Sequence, residues 1–187
     1  MQETLIVPGR GLVVAGTVAR KILEPASIGA VIKEIGGSGD IEGMIKKTVS
    51  EGDSVGGLIE CRVENLPVGL GEPFFLSVES AISQAVFSIP AIKGIEFGSG
   101  FRAASMKGSE HNDPIIDTGG KTLTNNAGGI NGGISNGNEL VFRVAVKPTS
   151  SISKLQRTID LKSEKVEDLI IEGRHDVCIA LRIPVIV

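Results

Sequence analysis

Four short loops hold most of the side chains able to do chemistry in this sequence, and both histidines lie within them. Residues 108–113 read GSEHND, where His111, Asn112 and Asp113 offer donors and acceptors to a ligand. The same residues suit a polar turn that bonds its own backbone, and on side-chain chemistry alone the turn is the better reading. Residues 125–137 read NNAGGINGGISNG, a run able to present backbone N–H groups to an anion or a planar ring. It is no dinucleotide fingerprint, which must follow a strand and open a helix, and no GKS or GKT follows to make it a Walker loop. A flexible surface loop would show the same composition.

The third loop, residues 147–153, reads KPTSSIS. One ammonium beside Thr149, Ser150, Ser151 and Ser153 suits a phosphate group, although an ordinary strand exit can look the same. The fourth, residues 173–176, reads GRHD. Arg174, His175 and Asp176 together can hold an anion and move a proton, yet charged surface turns also produce such a triplet. Neither histidine sits in a nucleophile motif, and two histidines in unrelated contexts do not make a metal pair.

The elements that must position these loops follow from the apolar spacing. Residues 11–23, GLVVAGTVARKIL, predict a helix of small and apolar residues, ended by Pro25 and packed centrally. Residues 26–35 predict a strand, 36–40 a loop and 40–50 a short polar helix. A strand is expected over 56–66, with Leu58, Cys61 and Val63 buried. PVGLGEP at 67–73 is a loop. Residues 77–89 have helical spacing that places Val78, Ile82, Ala85, Val86 and Ile89 on one face, and Pro90 stops the helix. Strands are expected over 91–97 and 138–146, the latter alternating Leu140, Phe142, Val144 and Val146 with Val141, Arg143 and Ala145. Residues 98–128 read as mostly polar loop. Weaker strand signals lie at 169–171 and 177–183. The pattern is α+β, antiparallel sheets packed with helices, in a single domain over 1–187.

Composition narrows the function classes. The chain has 187 residues, 41% hydrophobic and 22% charged, which is ordinary for a globular protein. A net charge of -3, with no Trp, no Tyr and six Phe, offers neither a phosphate-neutralising surface nor a stacking platform for nucleic acid. Cys61 and Cys178 fit no metal spacing and read as reduced thiols. No secretory leader and no membrane-spanning run is evident, so a cytoplasmic protein is expected. The apolar close RIPVIV reads as an interrupted element.

Taken in order, DSVGG (53–57), PVGLGEP, SIPAIKGIEFGSGF (88–101), GSEHND, AGGINGGISNG, FRVAVKPTSSIS and EGRHDVC resemble the chorismate synthase family across nearly all of 53–187. The resemblance implies a lyase of the shikimate pathway, in aromatic amino acid biosynthesis. It converts 5-enolpyruvylshikimate 3-phosphate to chorismate by anti 1,4-elimination of phosphate, with reduced FMN and no net redox change. It also implies an α+β sandwich and a homotetramer with FMN near a subunit junction.

Carried onto this sequence, Pro90, Ala91, Gly132, Lys147, Pro148, Thr149, Ser150, Ser151 and Arg174 match FMN-contacting positions. Arg174 also matches a residue beside the substrate's phosphate or carboxylate, and Asp176 the acid beside flavin N5. The family's GESHG-type and RPGH-type histidine loops do not occur in this sequence. The serine preceding its ARET segment is missing too, since this chain opens on MQET. The expectation is the second half of such an enzyme: a chain inactive by itself, a binding module, or a remnant completed by a companion chain.

Overall fold

A computed structural model describes residues 3–187, with side chains from Gly11 onward; Met1 and Gln2, and the side chains of Leu5, Pro8 and Arg10, lie outside the described part. The elements run α1 (Glu3–Ile22), β1 (Ser27–Ile35), α2 (Ile41–Ser50), β2 (Gly57–Glu64), α3 (Val78–Phe87) and β3 (Ile92–Phe97). A one-turn helix α4 (Gly108–His111), the short strands β4 (Ile130–Asn131) and β5 (Ile134–Ser135), and β6 (Leu140–Val146) follow. The hairpin β7 (Gln156–Asp160) and β8 (Lys165–Leu169) and a 3₁₀ segment, Ile179–Val185, complete the chain.

The centre is an antiparallel sheet in the order β1-β2-β6-β3. Its register puts Ile32 opposite Ile59, Ile59 opposite Val144, and Val144 opposite Ile95. Because strand side chains alternate, these residues share one face with Cys61, Val63, Phe142 and Val146. That face is the core, covered by Ile41, Met44 and Ile45 of α2, Val78, Ile82 and Val86 of α3, and Ala180 and Ile183 of the 3₁₀ segment. Helices α2 and α3 start where a side chain accepts a free N–H: Asp40 from Gly43 at 3.0 Å, and Ser77 from Ser80 at 3.1 Å. Burial holds both cysteines inert, pushing the Cys61 thiol up to about 11.

The opposite face is ionic. Glu60, 5% exposed, accepts from Arg62 at 3.0 Å and Arg143 at 3.1 Å, with Lys33 at 3.8 Å. Arg143 also pairs with Glu96 at 2.5 Å, joining β2, β6 and β3. Burial alone would raise the Glu60 carboxyl, but the two guanidinium bonds outweigh it and hold it below the ordinary range.

The fold departs from the sequence expectation in particular places. Ile59, not Leu58, is buried, because Leu58 shares a face with Glu60 and Arg62. Ala85 is exposed on α3. Residues 177–183 are not a strand: Ala180 and Ile183, three apart, both bury, which is 3₁₀ spacing, and Pro184 could not donate to a ladder. The hairpin β7–β8 is too polar and exposed to signal itself by alternation. Helix α1 is not central. Val14, Val18 and Ile22 are 67%, 57% and 78% exposed, since α2, α3 and the 3₁₀ segment already occupy the core face.

Two glycines let β2 begin where it does. A Cβ on Gly57 would meet Ile35 at 2.6 Å, Ala180 at 2.8 Å and the Glu34 carbonyl at 2.9 Å; on Gly56 it would lie on the Val146 carbonyl. Gly29, on β1, has open space. Gly57→Ala is therefore expected to cost about 1–3 kcal/mol by overpacking, and Gly29→Ala to stay within about 0.5 kcal/mol of the parent. Urea unfolding of the three proteins checks both; equal midpoints would contradict the packing argument.

Candidate functional site

The segment before β2 ties two loops together at one end of the sheet. Ser54 Oγ donates to the Thr149 carbonyl at 2.5 Å, and the next residue, Val55, donates its N–H to the Val177 carbonyl at 2.9 Å. The Lys154 N–H reaches the Gly52 carbonyl at 3.1 Å, and its ammonium pairs with Asp53 at 3.0 Å. Alongside, the Lys147 N–H donates to the Ala91 carbonyl at 2.9 Å. Antiparallel pairing explains the meeting, because Ile92 opens β3 opposite Val146, which closes β6, which lies opposite Gly57.

Most of the residues singled out in the sequence gather here. Pro90 and Ala91 are half-buried, with Ala91 at φ 74°. Lys147, Pro148 and Ser150 are exposed, Thr149 and Ser151 half-buried. Thr149 Oγ1 is buried and has no hydrogen-bond partner. Arg174 is exposed in the 173–176 segment, where Asp176 Oδ1 accepts from Arg182 at 2.7 Å. The tie made by Ser54 and Val55 was not foreseen, though the paired glycines of DSVGG were a legible sign of close backbone approach.

Gly132 is not part of this cluster within one chain. It sits at the exposed tip of the β4–β5 hairpin with φ 59° and open space around it. The neighbouring Gly133 carbonyl accepts from Val78 at 2.9 Å, the start of α3, whereas Ala91 follows the end of α3. Gly128 and Gly129 pack on the start of β6, where a Cβ on either would meet backbone. The seven residues of β6 therefore separate the two regions, roughly 20 Å at strand rise.

At that second end the loops serve mainly one another. Asp113 accepts from the Asn126 N–H at 2.7 Å, the Ala127 N–H at 2.9 Å and the Thr124 hydroxyl at 2.7 Å. Asn125 bonds Gly129 at 2.8 Å and the Glu139 carbonyl at 2.7 Å. GSEHND is thus a clasp on the glycine-rich loop, whereas the turn reading had its side chains bond their own backbone. A polar cavity of about 320 Å³ opens beside them, lined by Glu96, Ser99, Arg102, Asn126 and Arg143.

The family model described as chorismate synthase matches residues 9–187. This chain belongs to the chorismate synthase family. The chorismate synthase of Chitinophaga pinensis is 62% identical over 94% of this chain and 53% of that relative. That of Archaeoglobus fulgidus is 53% identical over 73% of this chain and 39% of that relative. A crystal structure of a chorismate synthase superposes with a TM-score of 0.72 at 30% identity, over 76% of this chain and 56% of that one. The α+β sheet-and-helix architecture is therefore that of the chorismate synthase family. The chain spans about half the length of the curated relatives it matches. Among the described residues no helix is long and apolar enough to cross a membrane.

The Asp113 clasp has a pH signature. Burial would raise its carboxyl, but the Ala127 and Asn126 N–H groups and the Thr124 hydroxyl outweigh it, with His111 adding charge, so it titrates below the ordinary range. A depressed carboxyl contributes stability that is complete above its unfolded value, about 3.9, and lost as pH falls through the lower folded value. Asp113→Asn is expected to lower the melting temperature at pH 6 and to lose less between about pH 5 and 3 than the parent. Parallel melting curves across that range would contradict the clasp.

Proposed function

We propose that this chain carries the flavin-nucleotide portion of a chorismate synthase site, in a lyase that eliminates phosphate from 5-enolpyruvylshikimate 3-phosphate to give chorismate with reduced FMN. The observation that carries the reading is the end-of-sheet junction. An exposed ammonium, Lys147, stands there beside Thr149, whose buried Oγ1 has no partner, on the loop tied to the GRHD segment through Ser54 and Val55. Donor set and orphan hydroxyl both fit a ligand bearing a phosphate and hydroxyl groups.

Bound there, reduced FMN supplies an electron-rich ring and a nitrogen able to take the substrate proton. Lys147, Thr149, Ser150 and Ser151 hold the anionic end, with Pro90, Ala91 and Pro148 as its backbone walls. Arg174 offers a guanidinium to the substrate's phosphate or carboxylate. Asp176, oriented by Arg182, holds or relays the proton. Gly132, at the far end of the sheet, would reach a flavin held by a second copy, which makes a homo-oligomer, a tetramer by family resemblance, part of the reading. The exposed apolar face of α1 fits such burial.

A second reading is a catalytically incomplete chain that keeps only part of this site or needs a companion chain.

Flavin fluorescence titration tests the site. Lys147→Ala is expected to weaken FMN binding about tenfold or more, the scale of a charge-assisted hydrogen bond. Lys154 is no neutral control, because it pairs with Asp53. Lys162, exposed in the β7–β8 turn, is the better one. Equal losses for Lys147→Ala and Lys162→Ala would mean that the site is misplaced.

A further inference from the structure

Among the described residues, four buried side-chain nitrogen or oxygen atoms lack a hydrogen-bond partner, and two of them are Thr149 Oγ1 and His175 Nδ1. Their loops are tied to consecutive residues, Thr149 through Ser54 and the 173–177 segment through Val55. The other ring nitrogen of His175 is committed, since Nε2 lies 2.7 Å from the Ile171 carbonyl. A carbonyl oxygen only accepts, so Nε2 must carry the hydrogen. In the neutral ring Nδ1 is then a bare lone pair, buried and facing no donor.

A lone pair selects its partner's chemistry. A phosphate dianion has only acceptor oxygens, so Nδ1 cannot serve the phosphate that Lys147 would hold. A polyol hydroxyl or a ring N–H can donate to it. We propose that His175 is a further ligand-binding residue of this site, its Nδ1 accepting a hydrogen bond from a hydroxyl or ring N–H of the flavin. This rests on the flavin reading above and adds a division of labour. The Lys147 loop reads the phosphate, while His175, fixed in one tautomer by Ile171, reads the uncharged part of the same molecule.

Riboflavin, which lacks the phosphate, separates the two roles. His175→Gln keeps an N–H able to reach Ile171, but its one acceptor, Oε1, is displaced from the position of Nδ1. It is expected to weaken both FMN and riboflavin by the same factor, about three- to tenfold for a neutral hydrogen bond, with an unchanged melting temperature. Lys147→Ala should weaken FMN and leave riboflavin unchanged. If FMN binding falls in Lys147→Ala but neither flavin responds to His175→Gln, the flavin reading stands and the His175 inference is overturned. If the parent chain binds neither flavin, the reading beneath both fails. Ring nitrogen NMR gives an independent readout. With His111→Gln removing the other histidine, the free protein should show His175 as the Nε2–H tautomer, and the Nδ1–H tautomer would overturn the inference.

Discussion

Two adjacent residues without side chains, Gly56 and Gly57, set the geometry on which the candidate site depends. They occupy the point where β2 enters the sheet, between the Val146 carbonyl on one side and Ile35 and Ala180 on the other. With no Cβ to clear, the last residue of β6 and the 3₁₀ segment close directly on the strand. Ser54 and Val55, immediately upstream, then lie within hydrogen-bond reach of the 147–151 and 173–177 loops. Loops are ordinarily free to drift relative to one another, and a binding site built on them needs a rigid tie. Here two consecutive residues supply that tie.

The rest of the sheet gives the junction a stiff support. One face is apolar and close-packed, with Ile59 and Val144 fully buried. The other is crossed by the chain of charges from Lys33 through Glu60 and Arg143 to Glu96, which joins all four strands. Buried ion pairs add little net stability over apolar residues of the same volume, but removing one partner leaves a charge stranded. The network therefore resists register slip, since a one-residue shift would turn Glu60 into the apolar core. Strand register in turn decides that Ala91, Lys147 and Gly57 finish at the same edge.

Much of this was legible in the residues. Alternation across β6 set Leu140, Phe142, Val144 and Val146 apart from Val141, Arg143 and Ala145, and the helices expected to open at Asp40 and Ser77 do so with those residues as caps. Elsewhere local signals were outvoted. Helix α1 reads as a core helix by composition, yet the described chain has no open core face to receive it. The 177–183 stretch reads as a strand by β-branching, but Pro184 and the close approach of Ala180 to Gly57 make it 3₁₀. Within the candidate site, loop order and residue type singled out segments that the fold brings to one end of the sheet, residues 90–91, 147–151 and 173–176. What they could not convey was the pairing of Ser54 with Thr149 and of Val55 with Val177, because those contacts join residues 95 and more positions apart. Nor could they show that Gly132 stands at the other end of β6.

The most direct test of the account is a map of backbone amide shifts as FMN is added to the isotopically labelled chain. The account predicts that the largest changes fall together on residues 54–55, 90–91, 147–151 and 173–176, saturating at one FMN concentration. Changes centred instead on the cavity of Ser99, Arg102 and Asn126, or spread thinly over the surface without saturation, would contradict it.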